Sequence, residues 1–202
     1  MLGLNYMAWL GLLVWVIVPL FAVLATVLLW RRAGSDPKKA LALVAGFAIL
    51  SAPALVSNGV KAHYDRQVRE LCAKDGGVRV YETVRLPAEK FNQWGQINFY
   101  KPTQGENTLG TEYIYKWNIR FYEKGEPTVN GPQETSMRRD HIQITRRSDM
   151  KLLGEVVMYH RAGGDLPGPW IPSSFHCPDR REANEGILMN QVFIKFTEGD
   201  NK

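Results

Sequence analysis

The chain has no charged residue from Tyr6 to Trp30, no phosphate-binding glycine loop, no G-x-S-x-G elbow and no closely spaced histidine pair. The missing loops leave out nucleotide chemistry of the Walker or dinucleotide-fold type. The missing elbow leaves out the usual serine-hydrolase nucleophile. His63, His141, His160 and His176 are too far apart in sequence for two of them to share one face of a helix or strand as ready metal ligands. His176 stands beside Cys177, but neighbours on a strand point to opposite faces. No cofactor and no metal are expected.

A basic nucleic-acid face is missing too. The net charge is +5, yet most of it sits near the N-terminus. Residues 1–61 hold five basic residues against one acid, Asp36, which leaves +4. From Ala62 onward 20 basic residues meet 19 acidic ones, which leaves +1. Nucleic-acid binding needs a basic patch on the folded domain. Arg138-Arg139 and Arg146-Arg147 are the only local candidates, and they read as solvated strand ends.

What is present begins with the uncharged run itself. About 25 residues at 1.5 Å each are enough for a hydrocarbon core about 30 Å thick. Trp9 and Trp30 lie roughly 31 Å apart along such a helix, which suits indoles at two membrane interfaces. Pro19 falls inside the run, where membrane helices tolerate it. Ala40 to Val60 is a second, weaker apolar stretch diluted by Gly46, Ser51, Pro53, Ser57 and Asn58. Small and hydroxyl residues favour close helix packing in lipid. The start lacks a basic n-region and a small-x-small cleavage site, so the first helix is expected to be retained.

The loop RRAGSDPKK places Arg31, Arg32, Lys38 and Lys39 between the two stretches. Positive-inside bias puts this loop in the cytoplasm, with the N-terminus and the C-terminal part on the other side. The bias is offset by Lys61, Arg66, Arg69 and Lys74, which follow the second stretch. The two cysteines, Cys72 and Cys177, bracket the remaining chain and read as one structural disulfide in an oxidising compartment. That compartment is expected to be the periplasm of a Gram-negative-type envelope.

Ala62 to Lys74 continues as a helix, with Tyr64, Val68, Leu71 and Cys72 on one stripe. Val78 to Leu86 reads as a strand, followed by a short helical turn at AEKFNQWG and a brief strand at Gln96 to Lys101. Thr111 to Lys124 alternates with Tyr113, Tyr115, Trp117, Ile119 and Phe121 on one face, which predicts a long half-buried strand with that face in the core; the alternative is that Tyr113, Tyr115, Trp117 and Phe121 form a carbohydrate or peptide platform. Strands are expected at His141–Arg147, Leu152–Arg161 and Gly186–Phe196. Gly163 to Asp179 is a proline-rich loop, and loops this long are often functional or tied down.

The expected class is α+β: a two-helix transmembrane hairpin over 1–61, with spans of about 6–30 and 40–60. A predominantly antiparallel β domain with one flanking helix follows over 62–202. Trp170, Ile171 and Phe175, set among prolines, form the candidate interaction surface. Asp140 beside His141 reads as a solvated pair. The expected function is that of an envelope protein anchored in the inner membrane, whose periplasmic domain binds or scaffolds a membrane or periplasmic protein, as an accessory subunit of a membrane complex. The alternative is a periplasmic hydrolase or redox enzyme working near His141, His160, His176 and Cys177, which requires a free thiol or a bound metal. The lipid bilayer is the other expected partner.

Overall fold

The computed structural model describes residues 2–123, 135–166 and 172–196, apart from the side chains of residues 2–15, Val18 and Glu123. Within these the protein is α+β, with a helical N-terminal part and an antiparallel sheet. It divides into two compact units. The first holds residues 1–65, 126–136 and 162–174; the second holds 66–125, 137–161 and 175–202.

The first unit is built on α1 (Leu2–Arg32) and the part of α2 (Asp36–Asp75) up to Asp65. Among the described residues, one helix, α2, is long and apolar enough to cross a membrane. The two helices touch through small residues. Ala22 and Ala42 are buried, and a Cβ on Gly46 would overlap the Thr26 hydroxyl. That hydroxyl donates to the Ala22 carbonyl at 2.7 Å, so it is satisfied inside its own helix. Large apolar side chains point outward instead, Phe47 being 74% exposed, with Leu20, Phe21, Leu41, Val44 and Leu55 also exposed. Soluble monomers rarely expose apolar side chains in such numbers on one pair of helices.

Further along α2, Ser57 and Lys61 sit one turn apart and hold the segment after Ala162. The Ser57 hydroxyl donates to the Gly164 carbonyl at 2.7 Å, and Lys61 pairs with Asp165 at 3.1 Å. Asp165 also accepts from the Ser173 amide at 2.6 Å. The long loop is therefore anchored here as well as at Cys177.

The second unit is a five-stranded antiparallel sheet. Its strands are β1 (Gly77–Val80), β3 (Tyr113–Glu123), β4 (Ser136–Arg146), β5 (Leu152–Ala162) and β6 (Ser174–Cys177). The order is β1-β5-β4-β3, with β6 also paired to β5. A separate parallel pair joins β2 (Val84–Leu86) to β7 (Phe193–Lys195). One sheet face packs on α3 (Glu185–Val192), where Leu188, Met189 and Val192 meet Tyr113, Tyr115, Ile142, Ile144 and Val156. The other face packs Met137, Val157 and Tyr159 against Val68 and Cys72 of α2.

Four expectations need correction. Gly186 to Phe196 is mostly helix rather than strand: the Asn184 side chain caps α3 by accepting from the Ile187 amide at 2.8 Å, and only Phe193–Lys195 is extended. Val78 to Leu86 is two strands, because the Tyr81 and Glu82 amides both donate to the Leu153 carbonyl and end β1 there. Gln96 to Lys101 forms only an isolated bridge between Phe91 and Ile97. Trp117 and Ile119 share a face with Tyr113 and Tyr115 but are exposed, whereas Tyr113 packs on Phe99 and Phe193, and Tyr115 packs on Tyr100 and donates to Glu185.

Helix α3 sits close on β5 at Gly154, where a Cβ would lie 2.8 Å from Val192 Cγ2 and 3.0 Å from the Arg79 carbonyl oxygen. Gly154→Val is expected to destabilise the second unit by about 1–3 kcal/mol through overpacking. Faster hydrogen exchange in peptides covering α3 and β1 would register it, and unchanged exchange would contradict the close seat.

Candidate functional site

On the α3 side of the sheet, one residue from each of four strands stands in a row. Ile119 of β3 is the register partner of Asp140 on β4. Asp140 Oδ2 lies 2.8 Å from His160 Nε2 on β5. The His160 Nδ1 contacts Nδ1 of His176 on β6, with the rings edge to face at a centroid distance of 4.6 Å. Arg138, two residues before Asp140 and therefore on the same face, reaches Asp140 Oδ2 at 3.2 Å.

Asp140 is 2% exposed, so the reading of a solvated Asp140–His141 pair is corrected: strand alternation sends the two residues to opposite faces. The approach of His160 to Asp140 meets ion-pair distance but is off line for a hydrogen bond. Asp140 Oδ1 and His160 Nε2 thus have no hydrogen-bond partner among the described residues. A buried water is the ordinary occupant of such a gap.

Burial lowers the His176 pKa to about 4, helped by neighbouring His160, Arg180 and Arg138. A histidine depressed in the folded state takes up its proton later than in the unfolded chain. Its contribution to stability is therefore lost as pH falls from about 6.5 towards about 4. Replacing His176 with Gln is expected to flatten the stability profile between pH 6.5 and 4.5, a range above that where the lowered carboxyls of Asp75 and Glu155 act. Identical slopes for both proteins would contradict the buried neutral ring.

The opposite face carries two satisfied polar clusters. Glu155 accepts from Tyr81 at 2.6 Å and meets His141 Nε2 at 2.7 Å, with Arg79 at 3.3 Å. Burial alone would raise Glu155, but these donors hold its carboxyl below the ordinary range. Asp75 accepts from Tyr159 at 2.6 Å and from Arg139 at 2.8 Å. The same balance lowers its carboxyl: burial raises it and the two donors prevail. Arg146 pairs with Glu82 and with Asp149. Arg139 and Arg146 are thus partnered side chains of the sheet rather than solvated strand ends.

Cys72 and Cys177 lie at disulfide distance, 2.07 Å between sulfurs and 5.9 Å between Cα atoms, which leaves no free cysteine. Phe175 is half-buried against the cluster around Val68, under the Arg69 guanidinium at 4.8 Å. Trp170, Ile171 and the Trp9 side chain lie outside the described residues. Trp30 is exposed near the end of α1 and has Lys39 at 5.9 Å from its ring, while Arg31 and Arg32 close that helix and Lys38 stands beside Lys39 in α2.

Strand parity would have located the row, since Asp140 is in phase with core Ile142 and Ile144, and His160 with core Val156. Next to the row, Trp117 is 51% exposed and Ile119 45% exposed. These two residues make an apolar strip along β3, the last strand of the sheet among the described residues. Among the described residues no group of three or more His, Cys, Asp or Glu side chains is placed to hold a metal ion. No protein-family model, curated protein or solved structure matches the chain.

Proposed function

We propose that this is a two-pass protein of a bacterial inner membrane whose C-terminal domain faces the periplasm and binds a protein partner, as an accessory subunit of a membrane complex. The observation that carries the binding half is the exposed Trp117–Ile119 strip on β3, which ends the sheet among the described residues. Tryptophan at a surface is costly to leave wet and is the residue type most enriched among interface hot spots. The anchor is supported by the outward apolar surface of α1 and α2 and by their small-residue contact at Gly46. The periplasmic side is supported by the Cys72–Cys177 bond, which persists in oxidising compartments.

The alternative reading as a hydrolase or redox enzyme has the Asp140–His160–His176 row in its favour. Against it, both cysteines are bonded to each other, so neither offers the thiolate that cysteine chemistry needs. His141 also lies on the sheet face opposite His160 and is engaged by Glu155.

The test is purification of the full chain in mild detergent beside a Trp117→Glu variant. The wild type is expected to bring a stoichiometric protein with it, and the variant at least about tenfold less. Repeated recovery of the wild type as a lone monomer would contradict the reading.

A further inference from the structure

The β3 edge carries information about what it binds. Strand β3 runs for eleven residues and ends the sheet, with β4 on one side and no strand on the other among the described residues. The 3-10 segment Pro102–Asn107 also packs on β3, and the exposed stretch of the strand is Lys116 to Arg120. An open strand edge presents unpaired backbone donors and acceptors, which natural proteins usually blunt or use. Its side chains alternate cleanly. Trp117 and Ile119 point to the face shared with Asp140, while Lys116, Asn118 and Arg120 point to the other, and all five are exposed. From Tyr113 to Tyr122 the strand contains two positive charges and no negative one. On β4, the register neighbours of Lys116, Asn118 and Arg120 are Gln143, His141 and Arg139, so no carboxylate neutralises that rim from the adjacent strand.

This pattern argues against a second copy of the chain as the occupant. Two β3 edges meeting antiparallel around Asn118 would set Lys116 opposite Arg120 at both ends of the contact. Moving the pairing by one step along the same face leaves the two like charges diagonal neighbours. Like charges across a strand pair are destabilising, and Lys is a common guard against edge-to-edge pairing.

We infer that β3 accepts an extended segment of another protein as an added strand, with acidic residues lying over Lys116 and Arg120 and apolar residues over Trp117 and Ile119. This rests on the partner-binding reading above and specifies its chemistry. Main-chain pairing supplies the affinity in this mode, and the alternating side chains supply the selection. Acidic side chains on one face and apolar ones on the other are the complement that the strand leaves unmet.

The test uses the full chain in lipid nanodiscs and two capped nine-residue peptides, one alternating valine with glutamate and one alternating valine with lysine. The acidic peptide is expected to bind at least about tenfold tighter, to weaken with added salt, and to slow hydrogen exchange in the 113–123 segment. Lys116→Glu with Arg120→Glu should reverse the preference between the peptides, a readout that general damage to the fold cannot produce. Equal binding of both peptides, no binding of either, or protection that spares β3 would overturn the inference. So would concentration-dependent self-association abolished by Trp117→Glu, which would make a second copy the occupant. A photocrosslinker at position 118 in cells, which leaves Trp117 in place, separates the two levels. A crosslinked partner alongside failed peptides leaves partner binding standing and removes strand addition, whereas no crosslinked partner removes both.

Discussion

Replacing Cys72 and Cys177 together by serine is expected to cost the second unit about 4–5 kcal/mol, the largest single loss in the molecule. The bond closes a loop with a sequence separation of 105 residues. Closing so long a loop removes much of the freedom of the unfolded chain, and the cost grows only slowly with length, so most of the effect comes from having the closure at all. The sulfurs sit beside Val68, Met137, Val157 and Tyr159, and two serine hydroxyls there would add a desolvation cost. Hydrogen exchange of β4 and β5 peptides in the full-length protein, with and without reductant, measures this. Reduced wild type and the double variant should exchange alike and much faster than the oxidised protein. Unchanged protection on reduction would mean that the core holds without the bond.

The second large effect is expected at Asp140. Replacing it with Ala strips the only carboxylate that the Asp140–His160–His176 row provides to His160 and Arg138. Breaking a buried pair from one side costs about 3–5 kcal/mol when both charges are sealed from water. The Arg138 side chain is 35% exposed and regains some hydration, so about 2–4 kcal/mol is the expected loss. Asn at this position keeps the shape and one acceptor, and should lose less than Ala. Equilibrium urea unfolding in detergent, read from the same exchange peptides, distinguishes the two. If Ala and Asn behave alike and lose little, the row is a tolerated accident of packing. If both lose stability but only Ala also alters binding of the Glu-containing peptide, the row supports β3 through its register neighbour Ile119.

Much of the architecture was legible because it depends on short-range pattern. The uncharged run before Arg31, the helix through Val68 and Cys72, and the period-two alternation from Tyr113 to Phe121 each describe one element and need no knowledge of its neighbours. What failed depended on tertiary context. GILMNQVFIKF has enough apolar and β-branched content to resemble a strand, and Gly186 speaks against a helix. The Asn184 cap and the Gly154 gap, into which Leu188 and Val192 fit, decide otherwise. The alternation of β3 was real, but periodicity reports which side chains share a face and says nothing about how far the side chains that cover it extend. Trp117 and Ile119 are therefore on the core-facing side and still in solvent. Asp140 and His160 were hidden for the converse reason. Asp140 was read as solvated although it is in phase with Ile142 and Ile144, and His160, in phase with Val156, was named for the enzyme alternative without its place inside the sheet face being drawn from that parity.

The most direct test concerns the proposed periplasmic placement of the strand domain, because the reading of the disulfide, the proposed partner and the proposed use of the β3 edge all depend on it. A small epitope fused after Lys202, probed with antibody in intact spheroplasts and again after detergent lysis, gives the answer. Equal labelling before and after lysis is the expected result. Labelling that appears only once the membrane is dissolved would place the domain in the cytoplasm and contradict the proposal at its root.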